Sequence, residues 1–209
     1  MQTLLERDAD LSVIVPVYNL ERYISPLLDS LKKQDLKDYA VEYIFVMNNC
    51  TDKSEAVIRN SGLGCKIIYC EKQGCGCARN AGFEIAKGRY IWFLDGDDWL
   101  LSDTAISDVL DRAYAQNLDI LFIPLTSNGF KVKYFSMVPQ YLLKKQFVEE
   151  FRFPAIMPSE DDAYMLEVLK KVGKDRHSYL TLPSMEKPLY FYNYPREGSV
   201  MYNHYQGKL

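Results

Sequence analysis

The chain reads as an α/β protein with a Rossmann-like mixed sheet flanked by helices. Three observations predict this. Short β-branched runs alternate with amphipathic helical patterns through the first half, the pattern of a sheet built largely from βαβ units. A chain of 209 residues, 48% of them hydrophobic, is the size of one ordinary domain with a real core. Each strand-like run of the first half also ends in a cluster of polar residues, which suits an open sheet that binds ligands beyond its carboxyl edge.

In order, residues 11–18 (LSVIVPVY) read as a buried strand and 20–33 as a helix with Ile24, Leu27, Leu28 and Leu31 on one face. Residues 41–47 are the next strand. A helix is expected from about Asp52, because Thr51 and Asp52 are N-cap types and Asp52 with Glu55 has the spacing of a capping box. Residues 65–70 are a third strand, 77–86 a third helix closed by Gly88, and 89–94 (RYIWFL) a fourth strand that runs into Asp95. Ser102 is placed to cap a helix through Gln116, and 119–125 (DILFIPL) is another strand. Near 126–130 the composition shifts. Beyond it, 131–137 looks extended, 144–151 and 159–171 look helical, and 188–194 (PLYFYNY) looks like a late strand. The expected organisation is one domain over residues 1–209, with a ligand-binding half at about 11–125 and a second half at about 126–209.

Lys and Arg number 25 against 28 Asp and Glu, a net charge of -3, so no broad basic field exists to hold nucleic acid. No apolar run of membrane-spanning length and no signal peptide is present, since residues 1–10 carry Glu6, Arg7, Asp8 and Asp10. The expected location is the cytoplasm, with peripheral attachment at the inner face of the membrane allowed. Five cysteines, at 50, 65, 70, 75 and 77, read as reduced thiols.

The residues after the four strands are Pro16-Val17-Tyr18-Asn19, Asn48 to Asp52, Gln73 to Asn80, and Asp95-Gly96-Asp97-Asp98. They bring an aromatic face, amides, an arginine and clustered carboxylates to one edge, a plausible pocket for a nucleoside diphosphate. Three carboxylates within four residues repel one another unless a cation or protons intervene, and hard oxygen ligands around a flexible glycine suit Mg²⁺ or Mn²⁺. The plainer reading is an acidic turn before the next helix.

Arg79 follows a glycine-rich turn near a helix start and could meet phosphate, although a lone arginine is more often a surface residue of an amphipathic helix. Gly74-x-Gly76 lacks the third glycine and the acidic residue of a dinucleotide fingerprint. Cys75-x-Cys77 has no second pair or nearby His, so it is not a zinc site. Ser159, Glu160, Asp161 and Asp162 open a helical run, where capping and the helix dipole account for all three acids. His177 and His204 read as surface or loop residues, with His204 the one that could approach a bound metal.

Taken in order, VIVPVYN at 13–19, VMNNCTDKS at 46–54, GCGCARNAGFEIAKGRYIWFLDGDDW at 74–99 and FRFPAIMPSEDDAY at 151–164 resemble family 2 glycosyltransferases of GT-A fold. The resemblance covers about residues 11–170 and is most specific from ARN to DGDDW. It implies inverting transfer of a sugar from a nucleoside diphosphate donor to a saccharide or lipid-linked acceptor, with a divalent cation on the Asp-x-Asp motif. Under it, Pro16, Tyr18, Asn48, Arg79, Asp95 and Gly96 would bind the donor: Tyr18 stacks on the base, Asn48 reads the base edge, Arg79 faces the diphosphate, and Asp95 lies near ribose and metal. Asp97 would ligate the metal with Asp95, and Asp161 would be the general base. Glu160 and Asp98 are neighbouring candidates, and Arg196, in a tail similar to that of many relatives, would order over the donor with Ser199. The second motif departs from the family in carrying Met47-Asn48 where acidic residues are usual; uracil remains the expected base, because an Asn can accept a hydrogen bond from its imide. Rival readings are a metal-dependent nucleotidyltransferase, an inactive nucleotide-sugar binding module, and a structural interaction domain whose acids are caps.

Overall fold

The computed structural model describes residues 9–127, 137–155, 160–174 and 182–193. Its centre is a six-stranded sheet. β1 (Leu11–Val17) lies between β2 (Val41–Met47) and β4 (Tyr90–Phe93), and β3 (Lys66–Tyr69) flanks β2, all four parallel. Two more strands complete the sheet on the other side in the order β3-β2-β1-β4-β8-β6. There β8 (Tyr141–Lys144) runs antiparallel to both β4 and β6 (Ile120–Phe122). A second sheet has three short strands, β5 (Trp99–Leu100), β9 (Tyr190–Tyr192) and β7 (Leu125–Ser127), with β9 in the middle.

Parallel strands must be covered on both faces, and β1 shows how. Leu11, Val13, Val15 and Val17 point into one core with Leu27, Leu28 and Leu31 of α1 (Ser25–Lys32) and Val109 and Leu110 of α4 (Ala105–Ala115). Ile14 points into the other, with Ile44 and Val46, Ala78 and Phe83 of α3 (Cys75–Ile85), and Met165, Val168 and Leu169 of α6 (Glu160–Lys171).

Several elements differ from the sequence expectation for identifiable reasons. The first helix starts at Ser25 rather than at 20: residues 20–24 close a separate turn, with the Tyr23 and Ile24 N–H groups on the Leu20 carbonyl, and Pro26 fits the first turn of the helix that follows. α2 (Ser54–Asn60) has no capping box: Asp52 accepts from the N–H and hydroxyl of Ser54, while Glu55 turns to Arg59 and the Tyr69 hydroxyl. Ser102 is not the cap of α4; its hydroxyl oxygen accepts the Thr104 N–H one turn earlier. The strand expected over 119–125 is split between the two sheets at Pro124, which has no N–H for a ladder. The helix expected over 144–151 shrinks to α5 (Lys145–Val148), because 141–144 are used as a strand. The strand expected over 131–137 falls almost wholly outside the described residues. Among the described residues, no helix is long and apolar enough to cross a membrane.

Candidate active site

All four parallel strands end at one edge, and the strand order reverses between β1 and β4, the point where open sheets of this kind hold ligands in a crevice. Backbone chemistry shapes it. β4 follows β1 only along Leu11–Ile14, with a last bond from the Leu94 N–H to the Ile14 carbonyl. Pro16, buried and opposite Val46, has no N–H to give and stands just where β4 has left the ladder. The departing chain passes at Gly96, where a Cβ would come within 2.5 Å of Leu20 Cδ1 and 3.5 Å of the Pro16 carbonyl oxygen. A larger residue there would have to displace the Leu20 side chain.

Residues 95–98 form a turn in which the Asp98 N–H donates to the Asp95 carbonyl (3.2 Å). Asp95 and Asp97 are partly exposed at the crevice. Asp98 is not: it is 1% exposed, and its carboxylate accepts the Tyr190 hydroxyl and the Asn193 N–H (2.8 Å). Burial, reinforced by the charges of Asp97 and Asp95, pushes the Asp98 carboxyl well above the usual carboxylate range. Asp98 therefore anchors the turn to the C-terminal strand and is not offered to a ligand.

Arg79 is the centre of the site and not the surface residue of the plainer reading. It is 2% exposed. Nη2 donates to Asp95 Oδ1 (2.8 Å), and Nη1 donates to Asp161 Oδ1 (2.5 Å) and Glu160 Oε1 (3.2 Å). One guanidinium thus joins two acidic motifs, the second of them 82 residues further along the chain. The fork is turned inward onto carboxylates, which differs from the expectation that it faces a diphosphate. Asp161 Oδ2 accepts the Val138 N–H (3.2 Å), and its side chain keeps 22% exposure. Burial, offset in part by Arg79 and reinforced by the charges of Asp95 and Glu160, pushes the Asp161 carboxyl up to about 7.

The packing that holds this cluster was missed by sequence reasoning. Gly76 lets the segment carrying Phe153 and Pro154 approach α3, since a Cβ there would lie 2.9 Å from Phe153 Cβ and 3.0 Å from the Pro154 carbonyl oxygen. Asn80 then clamps the segment: its Nδ2 donates to the Phe153 carbonyl and its Oδ1 accepts the Phe153 N–H, both at 2.9 Å. Phe153 stacks on Tyr164 (3.9 Å between centroids) and lies 5.3 Å from the Arg79 guanidinium carbon. The one signal for Asn80 was its place beside Arg79 in the most specific block.

Around the crevice, Tyr18 is 53% exposed at the end of β1. Asn48 is buried, and both Nδ2 hydrogens are used inside the protein, on the carbonyls of Cys70 and Lys72, while Oδ1 accepts the Gly74 N–H. The Asn48 amide thus pins the 70–74 loop ahead of α3. The five cysteines are free thiols. Ser159, His177, Arg196, Ser199 and His204 lie outside the described residues. Among the described residues, no three His, Cys, Asp or Glu side chains converge as a metal cage, so Asp95 and Asp97 are at most two ligands.

Comparison with known proteins places this geometry. The family model for glycosyl transferase family 2 matches residues 12–168. The minor teichoic acid biosynthesis protein GgaB of Bacillus subtilis is 36% identical over 122 residues, covering 56% of this chain and 13% of that protein. An uncharacterized glycosyltransferase of Haemophilus influenzae is 29% identical over 184 residues, covering 78% of this chain and 72% of that protein. Matches to longer relatives therefore span only a fraction of their length. Among solved structures, Staphylococcus aureus TarS 1-349 in complex with UDP-GlcNAc superposes with a TM-score of 0.76 at 25% identity, covering 92% of this chain and 60% of that one. A mannosyltransferase from Pyrobaculum calidifontis, at 15% identity and a TM-score of 0.69, shares the fold. The architecture is the GT-A arrangement, a mixed sheet flanked by helices with its crevice at the parallel carboxyl edge. With the family model matching well over half of its length, the chain belongs to glycosyl transferase family 2.

Proposed function

We propose that the chain transfers a sugar from a nucleoside diphosphate donor, a UDP-sugar in preference, to a hydroxyl acceptor with inversion at the anomeric carbon. The observation that carries this reading is the Arg79 cluster, which brings the Asp95–Asp98 turn and the Glu160-Asp161 helix start to one guanidinium. The transfer needs two acidic functions side by side, and these are two.

Tyr18 offers its exposed ring to the base. Asp95 and Asp97 would hold a divalent cation, Mn²⁺ or Mg²⁺, which supplies neutralisation of the charge on the leaving diphosphate. Two carboxylates suit such a cation, because phosphate oxygens and water commonly complete its shell. Asp161 takes the proton of the acceptor hydroxyl, and a carboxyl raised to about 7 is matched to that task near neutral pH. Arg79 holds Asp95 and Asp161 at a fixed spacing, so its effect on the donor passes through Asp95. Inversion requires one displacement and no covalent nucleophile.

The relatives support the substrate class. Structures of the fold have been solved with UDP-GlcNAc, and with Mg²⁺ and UDP, and GgaB is named for teichoic acid synthesis, which favours a cell-surface polymer as acceptor. Residues 11–125 then form the donor half and 126–209 the acceptor half of one domain.

Thermal unfolding tests the reading. UDP with Mn²⁺ at 100 times its dissociation constant should add about 2.7 kcal/mol of stability, and a chelator should remove most of it. Equal stabilisation in chelator would place the nucleotide elsewhere than on Asp95 and Asp97. Release of UDP from UDP-sugars distinguishes transfer from mere binding.

A further inference from the structure

The Asp95–Asp98 turn is held from the far end of the chain. Tyr190 is fully buried within the larger core, and a buried hydroxyl is costly unless it is bonded. Its hydroxyl oxygen accepts the Asp95 N–H (3.2 Å) and its proton goes to Asp98 Oδ2. It therefore touches both ends of a turn that is already closed by the Asp98 N–H on the Asp95 carbonyl. Asn193, three residues further on, adds a third tie, its N–H on Asp98 Oδ1 (2.8 Å). Strand register explains why the hydroxyl arrives there. β9 pairs antiparallel with β5, Tyr190 opposite Leu100 and Phe191 opposite Trp99, and the Phe191 and Trp99 rings stack at 4.2 Å. The strand that directly continues the turn, β5, is thus paired to β9, the strand that carries Tyr190.

We propose that Tyr190 is a positioning residue of the donor site: its hydroxyl sets the Asp95–Asp98 turn, and so the spacing of the Asp95 and Asp97 carboxylates, without touching the ligand. The inference rests on the proposed metal-dependent donor site and assigns a part of its machinery to a strand outside the family's nucleotide motifs. A phenylalanine would preserve the ring and its packing but leave the Asp95 N–H and Asp98 without their shared partner.

The test compares Tyr190→Phe with Phe191→Leu, a neighbour on β9 that faces Trp99 and has no bond to the turn. Both variants should melt below the wild type. Calorimetry with UDP and Mn²⁺, at a temperature where all three proteins are folded, should show about a tenfold loss of affinity in Tyr190→Phe and less than a twofold change in Phe191→Leu. Amide hydrogen exchange without ligand gives a second readout. The Asp95 N–H should be protected in the wild type and in Phe191→Leu, and should exchange much faster in Tyr190→Phe. Equal losses of affinity in the two variants, or an unchanged Asp95 amide in Tyr190→Phe, overturn the positioning role. Wild-type protein that takes up no UDP with Mn²⁺ overturns the donor-site reading instead, and with it the purpose assigned to the turn, even if the exchange result stands.

Discussion

The molecule has two unlike regions. The four strands β1 to β4 pair with one another in parallel, and the carboxyl end of each delivers a polar cluster to the same edge. From β6 onward the pairing changes sense and order: β8 inserts antiparallel between β4 and β6, and β9 joins β5 to β7. The first region presents Tyr18, Asp95 and Asp97. The second presents Asp161 and supplies β9, the strand that holds the Asp95–Asp98 turn, while Asn80 of the first clamps Phe153 of the second. In the proposed reaction they divide the labour, donor on one side and proton removal on the other, with Arg79 as the joint.

The sharpest way to break this division is to disable each side separately. Asp161→Asn keeps an oxygen for the Val138 N–H but cannot take a proton, so transfer should fall by about 10²–10⁴ while UDP affinity with Mn²⁺ is retained. Asp97→Asn should instead lose metal-dependent donor binding. Calorimetry beside UDP release measures both, and transfer at near wild-type rate in Asp161→Asn would return that residue to a helix-start role. The wild-type pH profile sharpens the assignment. A base must be ionised, so transfer should rise with pH through about 7 and level off above it. Stability should respond oppositely through this group: between 3.8 and about 7 the folded protein keeps a proton that the unfolded chain has released, so stability falls as pH rises. Asp161→Asn should remove that contribution.

Breaking the joint should cost nearly as much. Arg79→Met leaves Asp95, Asp161 and Glu160 crowded without their shared cation, and removing one partner of a buried ion pair typically costs about 3–5 kcal/mol. Denaturant unfolding measures this. A loss below about 1 kcal/mol would mean that the acids separate or take up protons, and that the two regions are not coupled through Arg79. Asn80→Ala should weaken the same coupling by about 1–3 kcal/mol, because the Phe153 N–H and carbonyl both lose their partner.

The two regions also differ in how far they could be read beforehand. Residues 41–47 match β2 end to end and 89–94 enclose β4, because a strand buried on both faces is written as a continuous apolar run. The clustering of Tyr18, Asp95 and Asp97 followed from the rule for parallel sheets. Beyond Pro124 no local pattern announces which strand pairs with which: residues 141–144 insert as an antiparallel strand, and the helix expected over 144–151 loses Lys144 to it. Arg79 shows the same limit at one residue. Its helix, its glycine-rich approach and its nearness to the edge were legible, but its partners were not, since two of its three carboxylates lie more than 80 residues away. Asn48 is the converse case: its motif pointed to a ligand, and its hydrogens were needed to fix a loop.

The smallest expected effect tests the first region against itself. Two tyrosines stand exposed at its carboxyl edge, Tyr18 after β1 at 53% and Tyr69 at the end of β3 at 62%. Exposure alone would make them equal candidates to stack on a base. Position separates them: β1 borders the point where the strand order reverses, beside Gly96 and the Asp95–Asp98 turn, whereas β3 is the outer strand of the sheet. The Tyr69 hydroxyl is also committed, donating to Glu55 and meeting Arg59 on α2. Tyr18→Ala should therefore weaken UDP binding by ~1–3 kcal/mol, the range for a base stacked on an aromatic ring. Tyr69→Ala should leave UDP affinity unchanged and cost only a fraction of a kcal/mol in stability, as exposed contacts do. Calorimetry on the two folded variants decides it. A loss at Tyr69 with none at Tyr18 would move the base toward the outer strand, and the crevice at the switch point would then hold only the diphosphate.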